Sequence, residues 1–156
     1  KSVSSVDGIS LTVCTREDEW IQAQHGNYKQ FINTPNIKVI HKQNHELAEY
    51  YNKADIAMLF INPFDYWNFA IPIKLFEYIG NKKPIIASSN TFSGKFVEQH
   101  NIGWAINYNA KTLTKLLNKL KEDPSLVHLK KENIDKVHAD NSWQSRATQV
   151  IKKLSL

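Results

Sequence analysis

The stretch Asn62-Pro-Phe-Asp-Tyr-Trp-Asn-Phe-Ala-Ile-Pro-Ile-Lys-Leu-Phe-Glu-Tyr-Ile-Gly-Asn-Lys-Lys-Pro-Ile-Ile-Ala-Ser-Ser89 decides the fold. The apolar run Ala57-Met-Leu-Phe-Ile61 leads into it and reads as a buried strand. An aromatic loop follows, then a helix with Pro72 at its first position, where a missing N–H costs nothing. Ile73, Phe76 and Ile79 keep helical spacing, and Gly80 is a natural C-terminal stop. Lys83-Pro-Ile-Ile-Ala-Ser88 reads as a second strand. Strand, loop, short helix and strand form one crossover unit of a parallel sheet.

Glu77 is the carboxylate inside that helix, placed by spacing on the side of Ile73 and Phe76. One reading is a surface ion pair with Lys74, three residues back, worth a few tenths of a kcal/mol. The other is a crevice at the carboxyl ends of parallel strands, where open α/β sheets bind ligands. There Glu77 would accept hydrogen bonds from sugar hydroxyls and Lys74 would meet a phosphate.

Outward from this unit, strands and helices alternate. Ile9–Cys14 reads as a strand, and Trp20–Ala23 as a helix with acids at its start and a stop near His25-Gly-Asn27. Thr34-Pro-Asn36 is turn chemistry before a strand at Ile37–Ile40. Glu46–Tyr51 reads as a helix, and Ala54 opens the next strand. Beyond the central unit, Ser89-Asn-Thr91 caps a helix at Gly94–His100, and Ile102–Ile106 is a strand. Leu113, Leu116, Leu117 and Leu120 form one face of a helix that Asp123-Pro124 ends. A last helix after Asp140-Asn-Ser142 would bury Trp143, Ala147, Val150, Ile151 and Leu154. The expected class is α/β: a doubly wound, Rossmann-like parallel sheet with helices on both faces, built as a single domain over 1–156.

Composition narrows the function. The 156 residues are 42% hydrophobic, enough for a real core, and no apolar run approaches a membrane-spanning length. The chain carries no signal peptide and opens on Lys-Ser-Val-Ser-Ser without a methionine, so it reads as an excised piece. The single Cys14 excludes an internal disulfide, fits a reducing, cytoplasmic setting and reads as a buried, inert thiol. Residues 1–110 hold ten basic and ten acidic side chains, whereas 111–156 hold ten and five. The charge excess therefore lies in the tail, either as a solvated face or as an attraction to an anionic membrane surface or acidic partner. No recognition helix, zinc spacing or RNA-binding aromatic motif points to nucleic acid. His41 and His45 are four apart, but at a strand end rather than on a zinc helix. Gly26, Gly80 and Gly103 make no dinucleotide fingerprint, and neither a P-loop nor a serine–histidine–acid signature occurs.

Pro72-Ile-Lys-Leu-Phe-Glu-Tyr78, followed by Lys83-Pro-Ile-Ile-Ala87, resembles the signature of family-4 ("group 1") retaining glycosyltransferases of the GT-B fold. Asn101-Ile-Gly-Trp104 and Ser142-Trp-Gln-Ser-Arg-Ala147 fall in that family's order and spacing. The resemblance runs from about Leu11 to the end and implies the C-terminal, nucleotide-sugar-binding domain of a two-domain enzyme. It also implies an N-terminal acceptor-binding domain as partner, an activated nucleotide donor, and no metal or other cofactor. The expected reaction is transfer of a sugar, hexosyl in type, to a glycan or lipid-linked acceptor in cell-surface polysaccharide synthesis. The isolated domain is expected to be inactive.

The resemblance also assigns residues. Such enzymes carry two glutamates separated by seven residues; Glu77 matches the second, which bonds the nucleotide ribose. The first would fall at position 69, where this chain has Phe69. Either Asp65 substitutes as a catalytic acid, or the chain follows a subgroup reading Phe-Ala-x-Pro-x-Lys-Leu-Phe-Glu-Tyr that does without it. The helix start with Ile73, Lys74 and the amides of Asn68, Phe69 and Ala70 would face phosphate or sugar. Arg16, beyond the first strand, is a candidate phosphate ligand, and His41 stands where the family places the nucleobase. Phe64, Tyr66, Trp67 and Phe69 are either a lid over the core or a wall against the sugar. The rivals are a non-catalytic glycosyltransferase-like subunit and a sugar-nucleotide epimerase.

Overall fold

A computed structural model describes residues 2–23, 34–141 and 143–154. The helix stop expected at His25-Gly-Asn27 lies outside them. The chain forms two compact units, one from residues 1–53 and 109–123, the other from 54–108 and 124–156.

In the first unit, strands β1 (Leu11–Cys14) and β2 (Ile37–Ile40) pair in parallel, Leu11 opposite Ile37 and Cys14 opposite Ile40. Helix α1 (Glu17–Ala23) follows β1 with three acids in its first turn, where the helix dipole favours them. The turn at Thr34–Asn36 closes with Ile37 N–H donating to Thr34 O at 3.0 Å. The Asn36 amide then donates to Val3 O and Ile9 O, which ties the chain start to the edge of β2. After β2, a 3-10 turn (Asn44–Leu47) leads into α2 (Ala48–Lys53), opened by a capping box between Gln43 and Glu46. Helix α6 (Ala110–Glu122) closes this unit, capped by Asn109 and burying the four leucines its spacing predicts. Cys14 corrects an expectation: the strand alternates half-buried and exposed, and its thiol falls on the exposed side.

The second unit has a parallel sheet in the order β3 (Ala57–Leu59), β4 (Ile85–Ser88), β5 (Gly103–Ile106). Between β3 and β4 come two helices, α3 (Asp65–Phe69) and α4 (Ile73–Gly80). Five of the residues expected in an aromatic loop are thus one helical turn. Helix α5 (Phe92–Gln99) joins β4 to β5, and Thr91 caps it by accepting from Gly94 N–H at 3.0 Å. The α/β class with parallel strands and flanking helices is as expected, in a Rossmann-like arrangement. The described strands pair as two sheets, of two and three strands.

Leu59, Leu75, Ile79, Ile85, Ala87, Val97, Ile102, Ile134 and Val137 form the core of this unit. Strand β4 is buried at all four positions, as a central parallel strand covered on both faces must be. Ile134 and Val137 come from a 17-residue helix, α7 (Ser125–Asn141), whose dilute apolar pattern gave no helical expectation. The last helix, α8 (Trp143–Leu154), forms where expected, but Ala147, Val150, Ile151 and Leu154 are exposed rather than buried, and the burial expected of Trp143 lies outside the described side chains.

Helix α4 ends differently from its sequence reading. Gly80 is the last helical residue, and the left-handed position two residues on is Lys82, at φ 54°. Lys83 N–H donates to Tyr78 O and Lys82 N–H to Ile79 O, the pair of bonds of a Schellman cap. Lysine thus occupies the site that glycine usually takes. Its ammonium meets Asp135 at 2.8 Å.

Candidate functional site

Ligands of parallel α/β folds bind beyond the carboxyl ends of the strands, so the residues after β3, β4, β1 and β2 are the ones to inspect. Beyond β3, Phe64 to Phe69 form a ring cluster. Tyr66 meets Trp67 at 4.9 Å and Phe69 at 5.5 Å between centroids, edge to face, and Phe64 approaches both Tyr66 and Trp67. Phe64, Tyr66 and Phe69 are nevertheless exposed, as are Ile71 and Ile73. The cluster is therefore not a lid sealed over the core. It presents apolar surface to solvent, with Phe69 at the position where the resemblance expects a glutamate. Asp65 starts α3, exposed in its first turn. Asn68 is exposed, and Ala70 N–H is already donated to Tyr66 O at 2.9 Å, so that amide is spent within the turn.

Pro72 is the N-cap of α4 and not its first helical residue; its ψ of 130° is extended, and no side chain caps the turn. The first amides of the helix are left to solvent or to a ligand, at the positive end of the dipole. The core-facing side of α4 is Leu75 and Ile79, with Phe76 and Tyr78 packed partly against the same cluster. Ile73 is 77% exposed, so it does not share a packed face with Phe76. Glu77 accordingly sits on the rim of the packed face. Its side chain is 38% exposed, and its carboxylate meets Lys74 Nζ at 2.5 Å, with Lys74 half exposed. The ion pair read from the i,i+3 spacing is thus present. Such exposed helix pairs contribute about 0.3–0.5 kcal/mol. Either side chain can turn to a ligand at that small cost.

Sequence reasoning gave Thr91 as a cap but missed how β4 ends. Ser88 donates to Ile61 O at 2.5 Å, and Thr91 Oγ1 donates to Ser88 O at 2.7 Å. These bonds lock the turn after β4 to the segment after β3. A Cβ on Gly94 would stand 2.1 Å from Ser88 O, so only glycine lets α5 approach the strand end this closely. The available signal was the Thr-x-x-Gly spacing, which marks a cap but does not show the close approach. Beyond β5, Tyr108 packs on Phe60 at 4.9 Å, and Asn107 Oδ1 accepts from Ser89 at 3.0 Å.

Arg16 and His41 belong to the first unit, where they follow β1 and β2. Strand register brings their neighbourhoods together: Thr15 N–H donates to Ile40 O, and His41 Nδ1 lies 2.9 Å from Thr15 O. Arg16 is drawn to its own helix, at 2.8 Å from Glu19 and 3.6 Å from Asp18. Nearby, hydrogen bonding to Lys42 and to Gln43 N–H holds the Glu46 carboxyl below the usual range, and the same pair raises Lys42. An open groove of about 780 Å³ in this unit is lined by Ser2, Ser5, Lys111, Lys115, Lys119 and Glu122 among others, and by none of the candidate residues. No three metal-ligating side chains gather among the described residues.

The parallel α/β unit thus presents an uncapped helix start and an exposed acid–base pair on the helix that follows β3. Residues 18–137 match the model for glycosyl transferases group 1. That match covers most of the chain, and the chain belongs to this family, whose chemistry is glycosyl transfer. No curated protein matches it. Among the described residues, no helix is long and apolar enough to cross a membrane.

Proposed function

We propose that the chain is the donor-binding domain of a retaining, GT-B-type glycosyltransferase, acting on a nucleotide-sugar. The observation that carries this is the half-exposed Glu77–Lys74 pair on the first two turns of an uncapped helix that follows a parallel strand. Glu77 would accept from ribose hydroxyls. Lys74 and the first amides of α4 would hold the diphosphate, whose departure electrostatic contacts then assist. The exposed rings of Tyr66 and Phe69 offer an apolar wall to the sugar. The mechanism calls for no metal.

The acceptor-binding N-terminal domain of the same protein is the partner this reading requires, and the sugar goes to a glycan or lipid-linked acceptor in cell-surface polysaccharide synthesis. The domain alone is expected to bind nucleotide weakly and not to turn over, in a cytoplasmic setting. Titration calorimetry with UDP and GDP tests it. Loss of a charge-assisted hydrogen bond in Glu77→Ala is expected to weaken binding about tenfold or more. Identical binding by wild type and Glu77→Ala would count against the assignment.

Phe69 in place of a glutamate favours a second reading, a glycosyltransferase-like subunit that binds but does not catalyse. Nucleotide binding with no sugar transfer by the full-length protein, together with co-purification of an active partner, would select it.

A further inference from the structure

We propose that the amino-terminal edge of the second unit's sheet holds a binding site for a small phosphate-class oxyanion, formed by Lys83 and Lys131 with Lys130 and Asn101 beside them. Strand register sets the place. Ile85 pairs with Ala57 on one side and Gly103 on the other. Asp55, Lys83 and Asn101, each two residues earlier, therefore stand side by side where the three strands begin. Helix α7 runs past the same edge. Its Asp135 meets Lys82 at 2.8 Å, its Asn133 amide donates to Asn101 O at 3.1 Å, and its Lys130 donates to Asn101 Oδ1. Lys131 lies one turn before Asp135, on the same side of the helix, which brings it towards Lys83.

Burial sets these lysines apart. Lys83, Lys130 and Lys131 are half-buried, whereas every other lysine among the described residues is exposed. Withdrawing an ammonium from water costs free energy unless a partner compensates. Lys82 has Asp135, and Lys130 rests on Asn101 and on the Trp104 ring, 5.9 Å from its centroid. Among the described residues no carboxylate pairs with Lys83 or Lys131. Burial first, and then the charge of Lys131, hold the Lys83 ammonium below the ordinary lysine value; Asp55 opposes both without cancelling them. An anion with several oxygens relieves two such partly dehydrated like charges, because it accepts from both ammonium groups at once. The edge lies at the opposite end of the strands from the nucleotide site proposed above and from the acceptor-binding domain that would meet it there. Lys82 and Lys83 also close the cap of α4, so the anion would sit at the end of that helix far from its uncapped start.

The test is a proton–nitrogen NMR titration of the chain with sodium phosphate, with glycerol 3-phosphate and with sodium chloride at matched ionic strength. Phosphate is expected to shift the amides of Lys83, Asn101, Gly103 and Lys131 saturably, with half-saturation at about 1 mM, and chloride is not. Tighter binding of glycerol 3-phosphate would assign the site to the phosphate group of a small metabolite; binding no tighter than that of inorganic phosphate would assign it to the free ion. Lys83→Gln and Lys131→Gln should each weaken binding about tenfold. Lys115→Gln, at an exposed position of α6, should leave it unchanged. Lys83→Met keeps an apolar stem in place and should weaken binding as much as Lys83→Gln, with an unchanged circular dichroism spectrum. Shifts that do not saturate, equal shifts with chloride, or full binding by either glutamine variant would overturn the proposal and leave a basic surface that only gathers counter-ions. Shifts confined to Ile73 and Lys74 would overturn it as well, by placing the ion at the start of α4.

Discussion

Strands β1 and β4 are both four residues long and both pair in parallel, yet they are built on different terms. In β1 half-buried and exposed positions alternate, and its only described partner is β2. In β4 every residue is buried between two neighbours, and hydrogen bonds from Ser88 and Thr91 lock the turn after it to the segment after β3. At the end of β1, Arg16 and Cys14 are exposed, and Arg16 is drawn to acids on its own helix. A strand covered on both faces fixes the residues after it through a packed core. The second unit, which also holds Glu77 and Lys74, therefore has the more firmly packed scaffold.

Substitutions can break this contrast, the strongest through backbone contacts. Gly94→Ala or Gly103→Ala would push a methyl to 2.1 Å from Ser88 O or 1.9 Å from Ile85 O, against backbone that cannot yield. Each is expected to cost about 3 kcal/mol or more in urea unfolding. In the first unit, Gly8→Ala meets nothing closer than Lys121 Cε at 3.9 Å and suffers only from its φ of +79°. The cost there should be about 1 kcal/mol. Equal losses in the two units would end the distinction.

Side-chain truncation sharpens it further. Ile85→Ala, at a position with 0% exposure, should lose about 3 kcal/mol through transfer and cavity terms. Val13→Ala, at a half-buried position of β1, should lose about 1 kcal/mol. A smaller effect of opposite sign is expected at Gly80, where an added Cβ meets no atom within 4 Å. Gly80→Ala should stabilise α4 by about 0.5 kcal/mol, because the glycine ends the helix without using a left-handed conformation. Thermal melts would show it, and the nucleotide binding proposed for Glu77 should be unchanged.

The smallest effect is a pH dependence in the first unit. The folded-state carboxyl of Glu46 is lowered, so its contribution to stability is present above the unfolded carboxyl's ordinary value and is lost as pH falls through the lowered one. Lys42 is raised, so its contribution is present below the ordinary lysine value and lost as pH rises through the raised one. Urea midpoints of wild type and Glu46→Gln should therefore converge in acid. A constant gap between them at all pH values would remove the pair from the account.

Much of this was legible in the chain. Pro72, the Leu113–Leu120 spacing, Thr91 and the run Pro84-Ile-Ile-Ala87 state their elements locally, because caps, periodicity and β-branching act within a few residues. The Glu77–Lys74 pair was legible for the same reason: helical spacing alone puts those side chains in reach. The 17 residues of α7 were not, since their helix is held by Ile134 and Val137 meeting a core made elsewhere in the chain. Nor was the turn of α4 that buries Leu75 and exposes Ile73, because several rotations suit its many apolar residues and only the neighbouring strands choose one.

By itself, then, the sequence determined the parallel α/β class, the family and the order of the strands. Tertiary structure alone decided that Cys14 and the apolar stripe of α8 face solvent, that Lys82 takes a glycine's conformation, and that Gly94 and Gly103 are points of contact rather than turns. Local physics sets which element forms. Which face it buries depends on what the distant chain brings against it.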